Sequence, residues 1–129
     1  MLAIDTNVVV RVIVGDNAEQ SSVARKTIET ETVFVSLTVF LEAAWVLRSS
    51  YGYASSDVVR FLRAFSGLPS VMVEDGVALN AAFEWMESGM GIADAFHLVA
   101  SRECAEFATF DRALARRGAS LPSMPIRLL

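Results

Sequence analysis

The chain has 129 residues, of which 53% are hydrophobic and 20% charged, and its formal net charge is −4. This length predicts one domain over residues 1–129, and the apolar content excludes a disordered chain. The single Cys104 excludes a disulfide scaffold and favours a reducing, cytoplasmic setting. The mean hydropathy is high, at +0.44, but the most apolar stretch, residues 33–47, is too short and too polar to span a membrane. We therefore expect no membrane association.

The charge balance is unusual for a protein that binds nucleic acid. Acidic residues number 15 against 11 basic ones, and Lys26 is the only lysine. The sequence pI is near 4.9, so the chain lacks the excess of basic residues that binds phosphates by Coulomb attraction alone. The excess of apolar residues favours strands buried on both faces, a self-association surface, or both.

The chain order predicts short apolar strands that alternate with longer helices. Strands are predicted at residues 2–4, 33–35, 71–73 and 107–110. Helices are predicted at residues 18–31, 38–48 with Thr38 as the N-cap, 55–66, 74–86, 92–103 and 112–117, where Gly118 ends the last one. The valine-rich residues 8–14 fit either a helix or more strand. The alternation predicts an α/β sandwich whose parallel sheet is covered on both faces.

Four carboxylates fall where such a fold places functional groups, near the carboxyl ends of parallel strands. Asp5 follows the first strand and Asp111 the fourth, while Glu42 lies in the helix after the second strand and Asp94 begins a later helix. We therefore expect the four to converge on one rim of the sheet.

The surroundings of these acids point to a cation. Asp5 and Glu42 have apolar sequence neighbours, and no lysine or arginine lies within three positions of Asp5, Glu42 or Asp94. An unpaired buried carboxylate is costly, so such residues must be paired, neutralised or bound to metal. Hard oxygen ligands favour Mg²⁺ or Mn²⁺, which can polarise a phosphoryl oxygen and activate water.

Four motifs together resemble the PIN-domain ribonucleases, and more narrowly the VapC-type toxins of toxin–antitoxin pairs. They are Asp5-Thr6-Asn7, Ser36-Leu37-Thr38 with Glu42 downstream, Ile92-Ala93-Asp94-Ala95-Phe96-His97, and Phe107-Ala108-Thr109-Phe110-Asp111. The resemblance runs from the N-terminus to about residue 117. It implies a three-layer α/β/α fold with a parallel sheet of about five strands, and metal-dependent hydrolysis of RNA by an endoribonuclease.

The resemblance also assigns roles to these residues. Asp5 and Asp94 would be direct ligands of Mg²⁺ or Mn²⁺, while Glu42 and Asp111 would bind through water or activate the attacking water. The polar helpers that orient these carboxylates would be Thr6, Asn7 and Thr109. Many relatives carry another acid and an aromatic residue just before the motif at Asp94, where this chain has Gly91 and Ile92. That departure bears on metal stoichiometry and affinity.

The resemblance implies partners as well as an RNA substrate. It implies a homodimer, and a small antitoxin that wraps the toxin and blocks its site, with an arginine able to pair with the acidic cluster. Because the antitoxin normally carries the DNA-binding module, any contact with DNA would be indirect.

Each residue also has a simpler interpretation. Asp5 and Asp111 fit helix N-caps, Asp94 fits a first-turn acid favoured by the helix dipole, and Glu42 fits a solvent-facing or hydrogen-bonded acid. His97 fits a packed residue better than a ligand, and Cys104 a partly buried, inert one. Five arginines could steer RNA or be solvated surface charges: Arg11, Arg48, Arg112, Arg116 and Arg117.

Other protein classes share a strand-end aspartate. A response-regulator receiver needs a late lysine, which this chain lacks, and an aspartyl phosphatase needs a second Asp where this chain has Asn7. The remaining alternative is a PIN-like module that binds protein without nuclease activity. The four acids, present in the right order, favour the enzyme.

Overall fold

The computed structural model describes residues 1–120 and 124–129. Five short strands form in these ranges: β1 (Leu2–Ala3), β2 (Val33–Val35), β3 (Val71–Val73), β4 (Phe107–Thr109) and β5 (Ile126–Leu128). The helices are α1 (Thr6–Val14), α2 (Ala18–Thr30), α3 (Leu37–Ser49), α4 (Ser55–Ser66), α5 (Gly76–Glu87), α6 (Ile92–Ala100) and α7 (Arg112–Ala119). The sequence after Gly118 predicts a connection from Pro122 to Pro125, and part of this connection lies outside the described residues.

All strand pairs in the described ranges are parallel. The strand β2 lies between β1 and β3, with Phe34 opposite Ala3 on one side and Met72 on the other. The strands β4 and β5 form a second, two-stranded sheet, with Ala108 opposite Arg127. This helix-rich α/β architecture confirms the predicted fold class and fits the three-layer α/β/α type. The hydrogen bonds divide the strands into two sheets, whereas a single sheet of about five was expected.

The chain divides into two compact units, Met1–Gly76 and Val77–Leu129. In the first, α1 packs against α2 and α3, and α4 packs against α3 and β3. In the second, α7 packs against β4 and β5. One domain over residues 1–129 stays a prediction.

Burial of the strands is less complete than the hydropathy suggested. Val33 and Val35 in the central strand β2 are fully buried, but Leu2 and Met72 are 45% and 50% exposed. Among the described residues, β1 and β3 form the two edges of this three-stranded sheet, and both strands are short, so less of their surface is covered. The expectation of strands buried on both faces is therefore wrong for β1 and β3. No helix formed by the described residues is long and apolar enough to cross a membrane.

Residues 8–14 form a helix despite their β-branched side chains, because the ends of α1 are fixed by favourable caps. Asp5 caps its N-terminus, and Gly15, at φ +70°, ends it by donating its N–H to the carbonyl of Arg11. That left-handed conformation favours glycine. The N-cap of α3 is Ser36, whose hydroxyl accepts from the N–H of Val39 at 3.3 Å, rather than the predicted Thr38.

The helix α3 buries one face and exposes the other. Its buried residues are Phe40, Ala43, Ala44 and Leu47. The ring of Phe40 meets that of Phe65 from α4 edge to face, with centroids 6.4 Å apart. The opposite face carries Glu42 and Trp45, both exposed.

Gly118 does not end the last helix as predicted. It is buried inside α7, where the backbone approaches β5 so closely that an added Cβ would lie 2.6 Å from Cγ1 and 3.1 Å from Cβ of Ile126. Such contacts are too short for two carbon atoms. Glycine is therefore placed here by packing rather than by helix termination.

Gly118→Ala is expected to destabilise the protein by about 1–3 kcal/mol, because Ile126 must shift to admit the methyl group. Urea unfolding measures the change. Ile126→Ala in the same chain removes Cγ1 and should restore part of the loss. Equal or higher stability for the single Gly118→Ala variant would contradict the close packing.

Candidate active site

Asp5 stands at the carboxyl end of β1 and caps α1. Its Oδ1 accepts a hydrogen bond from the backbone N–H of Val8 at 3.2 Å, and the residue is exposed. Its Oδ2 has no hydrogen-bond partner among the described residues. The backbone thus holds the carboxylate in place through one oxygen and leaves the other available to a ligand.

Asp111 repeats this arrangement at the end of β4. Its Oδ1 accepts from the N–H groups of Ala113 and Leu114 at 2.9 and 3.1 Å, at the start of α7. Its own N–H donates to the hydroxyl of Thr109 at 3.0 Å. Thr109 therefore fixes the backbone of Asp111, and its predicted role in orienting the carboxylate stays a prediction. Both aspartates are N-caps, as the simpler interpretation held, yet each cap uses only Oδ1.

Thr6 and Asn7 do not fix Asp5 in the way that Thr109 fixes the backbone of Asp111. Thr6 is buried and Asn7 exposed, and the bond that fixes the Asp5 side chain comes from the backbone of Val8. Their supporting role stays a prediction.

Glu42 and Asp5 are both exposed, so the expected cost of burying them does not arise. Glu42 is exposed because of helical geometry: Ala43 and Ala44 follow it in sequence but face the core on the other side of α3. Apolar sequence neighbours therefore did not indicate an apolar environment. The expectation that burial of Asp5 and Glu42 requires a cation is therefore wrong, and only the chemistry of the oxygen donors favours one.

Asp94 lies in the first turn of α6 and is half-buried. The N-cap is Gly91, which makes no side-chain capping bond, so Asp94 is not itself a cap. A Cβ added at Gly91 would lie 3.6 Å from Oδ2 of Asp94. Gly91 thus leaves open the space beside this carboxylate. His97, one turn further on, is exposed, so the interpretation of it as a packed residue is wrong. Cys104 is exposed as well, and the expectation that it is partly buried is also wrong.

The four acids are divided equally between the two units. Asp5 and Glu42 belong to residues 1–76, and Asp94 and Asp111 to residues 77–129. Within the described chain, no three His, Cys, Asp or Glu side chains form a group that could hold a metal ion. Convergence of the four on one rim stays a prediction. The donor set itself, carboxylate oxygens without a basic partner, fits Mg²⁺ or Mn²⁺.

One further acid follows the same strand-end rule but was not singled out. Glu74 directly follows β3 and its N–H donates to the carbonyl of Val35 at 3.1 Å, which continues the pairing with β2. The carboxyl end of the three-stranded sheet thus carries Asp5, Ser36 and Glu74 after its three strands. The signal was available, because residues 71–73 were correctly predicted as a strand.

Arg11 is held inside a polar network. Its guanidinium donates to Asp16 at 3.1 Å, Gln20 at 2.7 Å and the Tyr51 hydroxyl at 3.3 Å, and that hydroxyl donates to the second oxygen of Asp16 at 2.7 Å. The Tyr51 hydroxyl, with the charge of Arg11, holds the pKa of Asp16 below its ordinary value, and the bond to Asp16 raises the pKa of Tyr51. Arg11 is therefore engaged in holding α1, α2 and the end of α3 together.

The sequence matches the model of one protein family, described as the PIN domain, over residues 2–119. This match spans nearly the whole chain, so the chain belongs to the PIN domain family. The family gives it a nuclease-type fold, and PIN domains generally act as metal-dependent nucleases. A comparison with curated proteins returned no match.

Proposed function

We propose that this chain is an endoribonuclease that depends on Mg²⁺ or Mn²⁺. The observation that carries the proposal is the geometry of Asp5 and Asp111. Each follows a parallel strand and is fixed by backbone N–H groups through one oxygen, with the other oxygen free. Oxygen donors held in this way in a PIN domain are suited to binding a divalent cation.

The ligands in this proposal are the four acids. Asp5 and Asp94 would hold the metal directly, and Glu42 and Asp111 would bind it through water or activate the water that attacks the phosphodiester bond. A divalent cation supplies Lewis acidity to the phosphoryl oxygen and activates water near neutral pH. The chain's own contribution is to hold each carboxylate at a fixed position, as the Val8 N–H does for Asp5.

We further propose that the chain is the toxin of a toxin–antitoxin pair, of the VapC type, and acts in the cytoplasm as a homodimer. The support is the order and spacing of the four motifs that end at Asp111. A small antitoxin would then cover the acidic residues, with an arginine as the matching group, and would carry any contact with DNA. Recovery of a small partner from the source cell, and a dimer mass by light scattering, are the expected results.

A protein-binding module without nuclease activity is the second candidate. It is favoured by one observation, the absence of a group of three metal-binding side chains among the described residues. A nuclease assay separates the two candidates.

The test is cleavage of single-stranded and structured RNA by the purified chain with Mg²⁺, with Mn²⁺ and with EDTA. We expect cleavage with either metal and none with EDTA. Asp94→Asn should abolish it, because a neutral amide binds a divalent cation far less well than a carboxylate, while Asp57→Asn, a change in an acid outside the four, should not. Cleavage that persists in EDTA or in Asp94→Asn would overturn the proposal.

A further inference from the structure

The basic residues of this acidic chain are not evenly distributed. Residues 112–129 contain four arginines and no acidic residue, whereas the whole chain carries a net charge of −4. Three of the four lie in α7, the helix that Asp111 caps. A cluster of one sign beside a candidate catalytic acid creates a local potential opposite to that of the chain as a whole.

Packing decides which of these arginines face solvent. Leu114 and Gly118 are buried on the face of α7 that meets β5. Arg112 and Arg116 stand one turn apart on the opposite, exposed face, since residues four apart lie one above the other on a helix.

The remaining two arginines have partners. Arg117 donates to the backbone carbonyl of Ser88 at 3.1 Å, and Arg127 forms an ion pair with Glu106. Among the described residues, Arg112 and Arg116 have neither an ion pair nor a side-chain hydrogen bond. A ligand can therefore bind these two guanidinium groups of α7 without breaking an ion pair or hydrogen bond among the described residues.

We propose that Arg112 and Arg116 bind two backbone phosphates of the RNA and position the strand beside Asp111. This inference rests on the proposed function. The four-residue spacing separates the two side chains by about 6 Å along the helix axis, and guanidinium groups bind phosphate oxygens through paired N–H donors. Asp111 caps the same helix, so the phosphate contacts and the acid are carried on one rigid element.

The contact is electrostatic and independent of base sequence, so its signature is salt dependence. Binding of a labelled RNA oligonucleotide is measured by fluorescence anisotropy in EDTA over a range of KCl concentrations, which separates binding from cleavage. For the variant with both Arg112→Gln and Arg116→Gln, the slope of log K against log [KCl] should become shallower by about 1.4, because each contact to single-stranded RNA contributes about 0.7.

Matched variants test the assignment. Arg112→Lys with Arg116→Lys keeps both charges and should retain the slope. Each single glutamine variant should show about half of the change in slope expected for the double variant. Arg25→Gln alters another exposed arginine, in α2, and should leave the slope unchanged. In the cleavage assay, the double glutamine variant should raise KM and leave kcat unchanged, as expected for an interaction made equally in the ground and transition states.

The outcomes separate this inference from the proposed function. An unchanged salt slope in the double glutamine variant, with normal cleavage by the wild type, overturns the inference and leaves the nuclease in place. A shallower salt slope in the double glutamine variant, together with a wild-type protein that cleaves nothing, overturns the nuclease and leaves a phosphate-binding helix. Wild-type binding to a polyglutamate peptide but not to RNA would identify the arginines as a protein contact and overturn the inference.

Discussion

Asp5→Asn is expected to lower metal-dependent RNA cleavage by at least about 100-fold while leaving the stability of the fold unchanged. The loss in rate is on the scale seen when one group that stabilises developing charge is removed. Stability is kept because asparagine is as good an N-cap as aspartate, so the Val8 N–H still finds an acceptor.

Asp5→Ala gives the matched comparison. It removes the carboxylate and the cap together, so it should lose the same activity and, in addition, about 1 kcal/mol of stability. For a chain of this size that is a fall in Tm of about 4 °C. Cleavage rates with Mn²⁺ and thermal melts of the three proteins measure both effects. If Asp5→Asn cleaved RNA at the wild-type rate, Asp5 would be a cap and nothing more.

Phe40→Ala is expected to produce the largest loss of stability, about 3–5 kcal/mol, because it empties a fully buried site. The lost ring packs against Phe65 and holds the helix on whose outer face Glu42 lies. Since whole domains are stable by only about 5–15 kcal/mol, this one change would leave the fold marginal.

The measurement for Phe40→Ala is the midpoint of urea unfolding, followed by circular dichroism. Phe40→Leu fills most of the site and should cost less than half as much. Trp45→Ala changes an aromatic residue on the exposed face of the same helix and should be nearly neutral for stability. Similar midpoints for Phe40→Ala and Trp45→Ala would show that α3 is not anchored through Phe40.

The elements of the fold were predictable because their signals are local. The apolar triplets at residues 33–35 and 71–73 lie within the strands they specify, and Gly15 lies next to the helix that it ends. A helix boundary differs from the prediction where two nearby residues could both act as the N-cap. Ser36 caps α3, whereas Thr38 was predicted. The prediction that Gly118 ends the last helix is wrong, because the glycine is required by its packing against Ile126. That contact joins separate elements, and rules for helix ends consider only neighbouring residues.

The positions of the candidate residues after strands and in helices were predictable from the sequence, whereas their surroundings were less so. The strand-end rule found Asp5 and Asp111, whose capping bonds are encoded within three residues of sequence. Exposure of Glu42 was missed because sequence neighbours on a helix point in different directions. The network of Arg11, Asp16 and Tyr51 joins residues up to 40 positions apart, so no local sequence pattern predicts it.

Asp5 and Asp111 are both helix N-caps and proposed metal-site residues, and these two roles affect how sequences of the family can be interpreted. Folding alone accepts aspartate and asparagine equally at an N-cap, and the two codons differ by one base. A population of related genes under selection for folding only would therefore drift between the two residues at positions 5 and 111. Persistent aspartate at both would record selection on chemistry, and a lineage with asparagine would be a folded protein that has lost its enzymatic activity.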